Sequence, residues 1–166
     1  MPTPYSQYLH GRDPVDVMVE TIPKTRAAVS RFTPSDFDRA HAPGKWTARE
    51  VLIHMAHAEI VFGTRVRFAL TTPGYVVQPF DQDEWMKLDQ AGLDGQAALA
   101  LFSFNRAFNL GLFKRLTKEQ RARTFTHPER GQMTVEDVLI MTAGHEVHHL
   151  AQLEEVARGV GPEAGV

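Results

Sequence analysis

A chain of 166 residues, 43% hydrophobic and 23% charged, is sized and balanced for one soluble globular unit spanning residues 1–166 with its own core. Its formal net charge of -2 gives no electrostatic reason to bind nucleic acid or an anionic membrane surface. With no cysteine there can be no disulfide, thiolate metal site or cysteine nucleophile, so a transition metal would have to rely on histidine, carboxylate and water.

Met1 to His10 have neither the basic start nor the apolar run of a secretory signal. No stretch approaches the roughly 20 apolar residues of a membrane span, so a cytoplasmic protein without a membrane partner is expected. Asp13-Pro14 is a cap residue followed by proline at the first helical position, and Val15, Met18, Ile22, Thr25, Val29 and Phe32 then recur at helical spacing. Pro23 lies inside this pattern and should bend the helix or divide it.

A Pro-, Gly- and His-rich loop leads to Thr47 and Glu50, a capping pair that opens a second helix to about Leu70. Its inward stripe reads Val51, His54, Ala58, Val61, Arg65 and Phe68. Tyr75 to Gly95 reads as a long connection with a short helix around Asp83 to Leu88, whose Phe80 and Trp85 either cover one mouth of a bundle or, the favoured and blander reading, are apolar residues that a loop tucks away. A third long helix carries Leu101, Phe104, Phe108 and Leu112 on its apolar side. A turn region with His127-Pro128 and Gly131 precedes the cap pair Thr134 and Asp137. The last helix then shows Val135, Val138, Thr142, His145, His149, Gln152 and Val156 in a three-four rhythm, and the tail from Gly159 to Val166 should fray. With no sustained period-two alternation and no internal repeat, the pattern is all-α, a four-helix bundle.

Three histidines fall in core stripes. His145 and His149 are four apart, so their imidazoles lie one turn apart on one face and can converge on one ion. His54 occupies the equivalent stripe of the second helix. Three nitrogen ligands with open positions suit a catalytic metal, because water or substrate can occupy what remains. The blander alternative, in which each imidazole is a core residue hydrogen-bonded to a protein partner, suits a lone buried histidine better than three in register.

His57 and His148 flank these positions, whereas His10, His41 and His127 lie in loops and carry no argument. Gln152 is spaced to orient a ligand or bound water, or else to cap the polar layer. His145-Glu146-Val147-His148-His149 matches H-E-x-x-H, which would make Glu146 a general base. The glycine and third histidine of the longer metalloprotease pattern are missing, as is a sheet edge to hold a peptide, so a peptidase is disfavoured. Glu146 also sits about 100° around the helix from His145, where it can face a neighbouring helix instead.

Gly44-Lys45-Trp46-Thr47 leading into Glu50 through Ala56 and Ala58-Glu59, followed by Gly131-Gln132, Thr134, His145-Glu146, His149 and Gln152, resembles the DinB-like superfamily. The resemblance extends from the first helix to Glu155. It implies a four-helix bundle, often a homodimer, with one divalent ion, commonly nickel or zinc, on residues matching His54, His145 and His149. It also implies chemistry such as thiol-dependent transfer with a low-molecular-weight thiol as cosubstrate. His57 departs from the acidic residue expected there in many relatives. The function expected is thus a metal-dependent thiol S-transferase or hydrolase acting on a small molecule. A noncatalytic dimeric module that binds metal or ligand, and a structural bundle with satisfied histidines, remain as alternatives.

Overall fold

Among the described residues, every α-helix longer than one turn begins where an oxygen-bearing side chain accepts from the first free backbone amides. In the computed structural model, which describes residues 3–159, Asp13 caps α1 (Pro14–Val29) and Thr47 with Glu50 closes a capping box on α2 (Ala48–Thr71). Asp81 caps α3 (Gln82–Asp89), and Asp94 caps α4 (Gly95–Phe113). Thr117 caps the single turn α5 (Lys118–Arg121), and Thr134 with Asp137 forms a second capping box on α6 (Val135–Ala157). The tail from residue 160, expected to fray, lies outside the described residues.

The four long helices pack as a ring in the order α1, α4, α2, α6, so α1 and α2 stand on one diagonal and α4 and α6 on the other. No helix is long and apolar enough to cross a membrane among the described residues. Pro23 lies within α1 without dividing it.

Two features differ from the sequence expectation. The turn region before α6 is an antiparallel hairpin of β1 (Thr124–His127) and β2 (Gly131–Thr134), paired from Thr124↔Thr134 to His127↔Gly131. Four residues per strand are too few to register as sustained alternation. The loop after α2 joins it, with Val77 N–H donating to Thr126 O and Thr126 N–H to Tyr75 O, both at 3.0 Å.

The second difference concerns α4, where three of the four expected apolar residues face out: Phe104 and Phe108 are each 71% exposed and Leu101 is also exposed, while Leu112 packs against the core. Ala98, Phe102, Arg106, Asn109, Leu110 and Phe113 face inward instead. The reason is Arg106, fully buried between the carboxylates of Glu59 on α2 and Glu146 on α6, with Thr21 and the Met18 carbonyl of α1 each 3.5 Å away. A buried carboxylate without a partner costs more than an exposed phenylalanine, so the ion cluster sets the rotation of α4.

Asn109 reinforces this by donating from Nδ2 to Glu59 Oε2 and to the Glu59 carbonyl, both at 2.9 Å. α2 accommodates the close approach through Gly63, where a Cβ would lie 2.3 Å from Asn109 Oδ1. These residues belong to a polar layer across the bundle. On α4 it separates Phe102 of one apolar cluster from Leu110 of the other, and on α6 it separates Ala143 from Leu153.

Arg106→Ala should lower unfolding free energy by about 3–5 kcal/mol in urea titration, since it strands two buried carboxylates. A loss below about 1 kcal/mol would mean that water already screens the cluster.

Candidate metal centre

α2 and α6 are neighbours, and their core stripes bring His54, His145 and His149 together within the polar layer. His54 Nε2 lies 2.7 Å from His145 Nε2, and His149 Nε2 lies 3.1 Å from the same atom. All three rings are buried. His149 Nδ1 is 2.7 Å from Gln152 Oε1, which makes Nδ1 the protonated nitrogen and leaves the Nε2 lone pair facing the other two imidazoles.

One Nε2–H on His145 could satisfy one neighbouring lone pair but not both, so protein hydrogen bonds alone leave the convergence electron-rich. The Nδ1 atoms of His54 and His145 have no hydrogen-bond partner in the protein either. Three imidazole nitrogens aimed at one point form a donor set that fits a divalent ion.

The surroundings fix these rings. Gln152 bridges His149 to His148, with its Nε2 3.3 Å from His148 Nε2, and Tyr8 Oη stands 3.2 Å from His148 Nδ1. Trp46 packs on His54 with ring centroids 4.8 Å apart, and Phe80 stacks on the same imidazole at 6.4 Å. Trp85 meets both Phe80 and His57 edge-on, which brings both aromatics of the long connection beside the triad. Tyr5 stands edge-on to His145 at 5.6 Å, an approach made possible by Gly144, where a Cβ would lie 2.3 Å from the Tyr5 carbonyl oxygen. Nothing in the sequence pattern pointed to Tyr5, because it reaches the site through long-range contacts of the amino-terminal segment with the last helix, at Gly144 and His148.

Three other expectations change. Glu146 does not join the histidines: it pairs with Arg106 and accepts from Thr21 Oγ1 at 2.8 Å, because one residue of helical rotation turns it toward α1 and α4. His57 Nε2 lies 2.7 Å from Asp89 Oδ2, so the carboxylate missing from its own position is supplied by α3. His127, set aside as a loop residue, ends strand β1 and is only 6% exposed.

Two openings flank the triad. A cavity of about 190 Å³ is lined by His54 and His145 together with Phe62, Arg65, Phe80 and His127. A cleft on the other side is lined by His149, Gln152, Trp46 and Asp83. Larger clefts of about 590 and 710 Å³ lie elsewhere and contain none of the three histidines.

Burial holds all three imidazoles in the neutral, ligating form. It pushes His54 down to about 3 and His149 to about 4, and His145 well below its ordinary range, with the neighbouring histidines adding to the depression at His54 and His145. An unfolded chain takes up protons on these groups near pH 6.5 while the folded one does not, so the folded state is favoured above that pH and loses ground below it. Metal-free protein should therefore melt at progressively lower temperature from pH 6.5 to pH 5, and His149→Phe should flatten the slope. A pH-independent midpoint across that window would contradict the neutral, buried triad.

The sequence pattern of the DinB superfamily matches residues 18–153. YfiT of Bacillus subtilis is 30% identical over 149 residues, covering 89% of this chain and 84% of the relative. Its solved structure, described as a probable metal-dependent hydrolase with an unusual four-helix bundle topology, superposes with a TM-score of 0.80 over 88% of this chain and 85% of that one. OB0782 of Oceanobacillus iheyensis is 27% identical over 141 residues, covering 84% of this chain and 82% of the relative. A mycothiol-dependent maleylpyruvate isomerase shares the fold at a TM-score of 0.69 and 15% identity, over 84% of this chain and 59% of that one. From α1 to the last turns of α6 the sequence and the helical framework agree, and the chain belongs to the DinB superfamily.

Proposed function

We propose that this chain is a metal-dependent hydrolase of a small cytoplasmic substrate, with His54, His145 and His149 as ligands to one zinc or nickel ion. The observation that carries this reading is the convergence of three buried, neutral imidazole nitrogens beside a cavity. The probable metal-dependent hydrolase activity of the relative YfiT points the same way. A divalent ion so held supplies Lewis acidity, which lowers the pKa of a water or thiol enough to give a nucleophile near neutral pH.

The protein's own groups orient and shield. Gln152 locks the His149 tautomer and is a positioning residue, while Trp46, Phe80 and Tyr5 wall the imidazoles from bulk water. With Glu146 committed to Arg106, the carboxylate that lines the cavity is Glu129 at the hairpin turn, and it takes the place of Glu146 as the acid–base candidate. A low-molecular-weight thiol replacing water as nucleophile would convert the same centre to S-transfer, so both classes belong in one screen.

Zinc- or nickel-loaded protein should hydrolyse small esters or amides, or consume thiol with an electrophile, at least about a hundredfold faster than His149→Ala. Turnover no faster than that variant would leave a noncatalytic metal-binding module.

The homodimer we propose would pair through the outward face of α4. Leu101, Phe104 and Phe108 are exposed along it, and Arg67 lies over the Phe108 ring at 4.5 Å. Sedimentation should show a dimer that the paired change Phe104→Glu, Phe108→Glu converts to monomer; a wild-type monomer would remove this assignment.

A further inference from the structure

The cavity beside His54 and His145 contains a charge that the triad does not explain. Arg65 projects from α2 into its wall and is only 7% exposed, yet no carboxylate lies within ion-pair distance of it among the described residues. Its Nη2 donates to the Gln78 carbonyl at 3.1 Å, its guanidinium lies 5.8 Å from the centre of the Phe62 ring, and its buried Nε has no hydrogen-bond partner. A guanidinium stays charged at any physiological pH, so leaving one this buried without an anion is costly unless an anion arrives.

The rest of the cavity is arranged around that charge. His127 Nδ1 accepts from the Glu129 amide at 3.2 Å, which leaves Nε2 carrying the hydrogen as a donor. Arg65 and Arg130 line the same cavity as His127, and their charges, after burial, hold the His127 pKa below its ordinary value. Arg130 and Gln82 complete the polar lining, while Ala58, Phe62, Phe80 and Met141 supply the apolar part. Two guanidiniums against the one carboxylate of Glu129 leave a net charge matched by a monoanion. A volume of about 190 Å³ is below the roughly 300–1,000 Å³ typical of larger ligands, so the monoanion is small. Phe62 packs under Arg65 and also meets His145 edge-on at 6.1 Å, so an anion on Arg65 places the remainder of its molecule beside the triad.

We propose that this cavity is a carboxylate-binding subsite, in which Arg65 anchors a small monocarboxylate substrate with help from His127 and Arg130. That this ligand is the substrate rests on reading the triad as the reacting centre; the binding itself does not. Arg65 and Arg130 act as specificity residues, selecting substrates that carry the carboxylate on the side away from the bond to be cleaved.

The test is a calorimetric or ligand-observed NMR titration of chelator-treated, metal-free protein with butyrate, butyramide and inorganic phosphate. Butyrate should bind saturably, with butyramide weaker by at least about tenfold, since the uncharged amide forfeits the charge-assisted bonds. Arg65→Gln should lose about tenfold or more of butyrate affinity and Arg130→Gln a few-fold, while Arg31→Gln, exposed beyond the end of α1, should change nothing. Equal binding of butyrate and butyramide, absence of saturable binding, or tighter binding of phosphate than of butyrate would each overturn the proposal. The wild-type comparison needs no variant to fold. Because no metal is present, a negative result here leaves the hydrolytic reading standing, and a failed turnover screen leaves this result intact.

Discussion

The buried guanidinium of Arg106 is the constraint on which the bundle depends. It comes from α4, pairs with Glu59 of α2 and Glu146 of α6, and reaches the first turns of α1 through Thr21 and the Met18 carbonyl. One side chain therefore touches all four long helices. Carboxylates this deep are tolerated only with a cation and hydrogen-bond donors around them, so each helix has little freedom to rotate without stranding a charge. Apolar packing above and below tolerates far more variation, since hydrophobic contacts are non-directional.

That rotation lock has two consequences for the chemistry. It turns α2 and α6 so that residues next to the ion cluster, His54 and His145 with His149 a turn later, face each other across the same layer. It also turns Phe104 and Phe108 of α4 outward, leaving the protein an apolar flank. The histidine cluster and the exposed face are thus two outcomes of one electrostatic arrangement. Preorganisation of the imidazoles by Gln152, Trp46, Phe80 and Tyr5 completes a site whose geometry is held by the scaffold instead of being assembled by the ligand.

Much of this was legible in the sequence because it is written in short-range patterns. Caps at Asp13, Thr47 and Thr134 marked helix starts, and the four-residue spacing of His145 and His149 within a core stripe marked the centre. What escaped was long-range. The inward face of α4 is disguised because its deepest residue is an arginine, and no periodicity scale scores a buried arginine as core. Glu146 looked like a base because a linear motif does not show which partner its carboxylate meets a helix away. His127 becomes buried only when the loop after α2 pairs with strand β1, and Tyr5 reaches His145 only over the bare backbone of Gly144. Arg65 did appear in the core stripe of α2, a signal that an arginine in such a position should prompt a search for its anion.

The most direct measurement is metal content by elemental analysis of untagged protein purified without added ions, comparing wild type with His54→Ala, His145→Ala, His149→Ala and Glu146→Gln. The triad predicts about one equivalent of zinc or nickel in wild type and Glu146→Gln and a large loss in each histidine variant. Wild-type protein that carries no metal and takes up none when zinc or nickel is supplied, or histidine variants that retain it in full, would contradict a metal centre on these three residues.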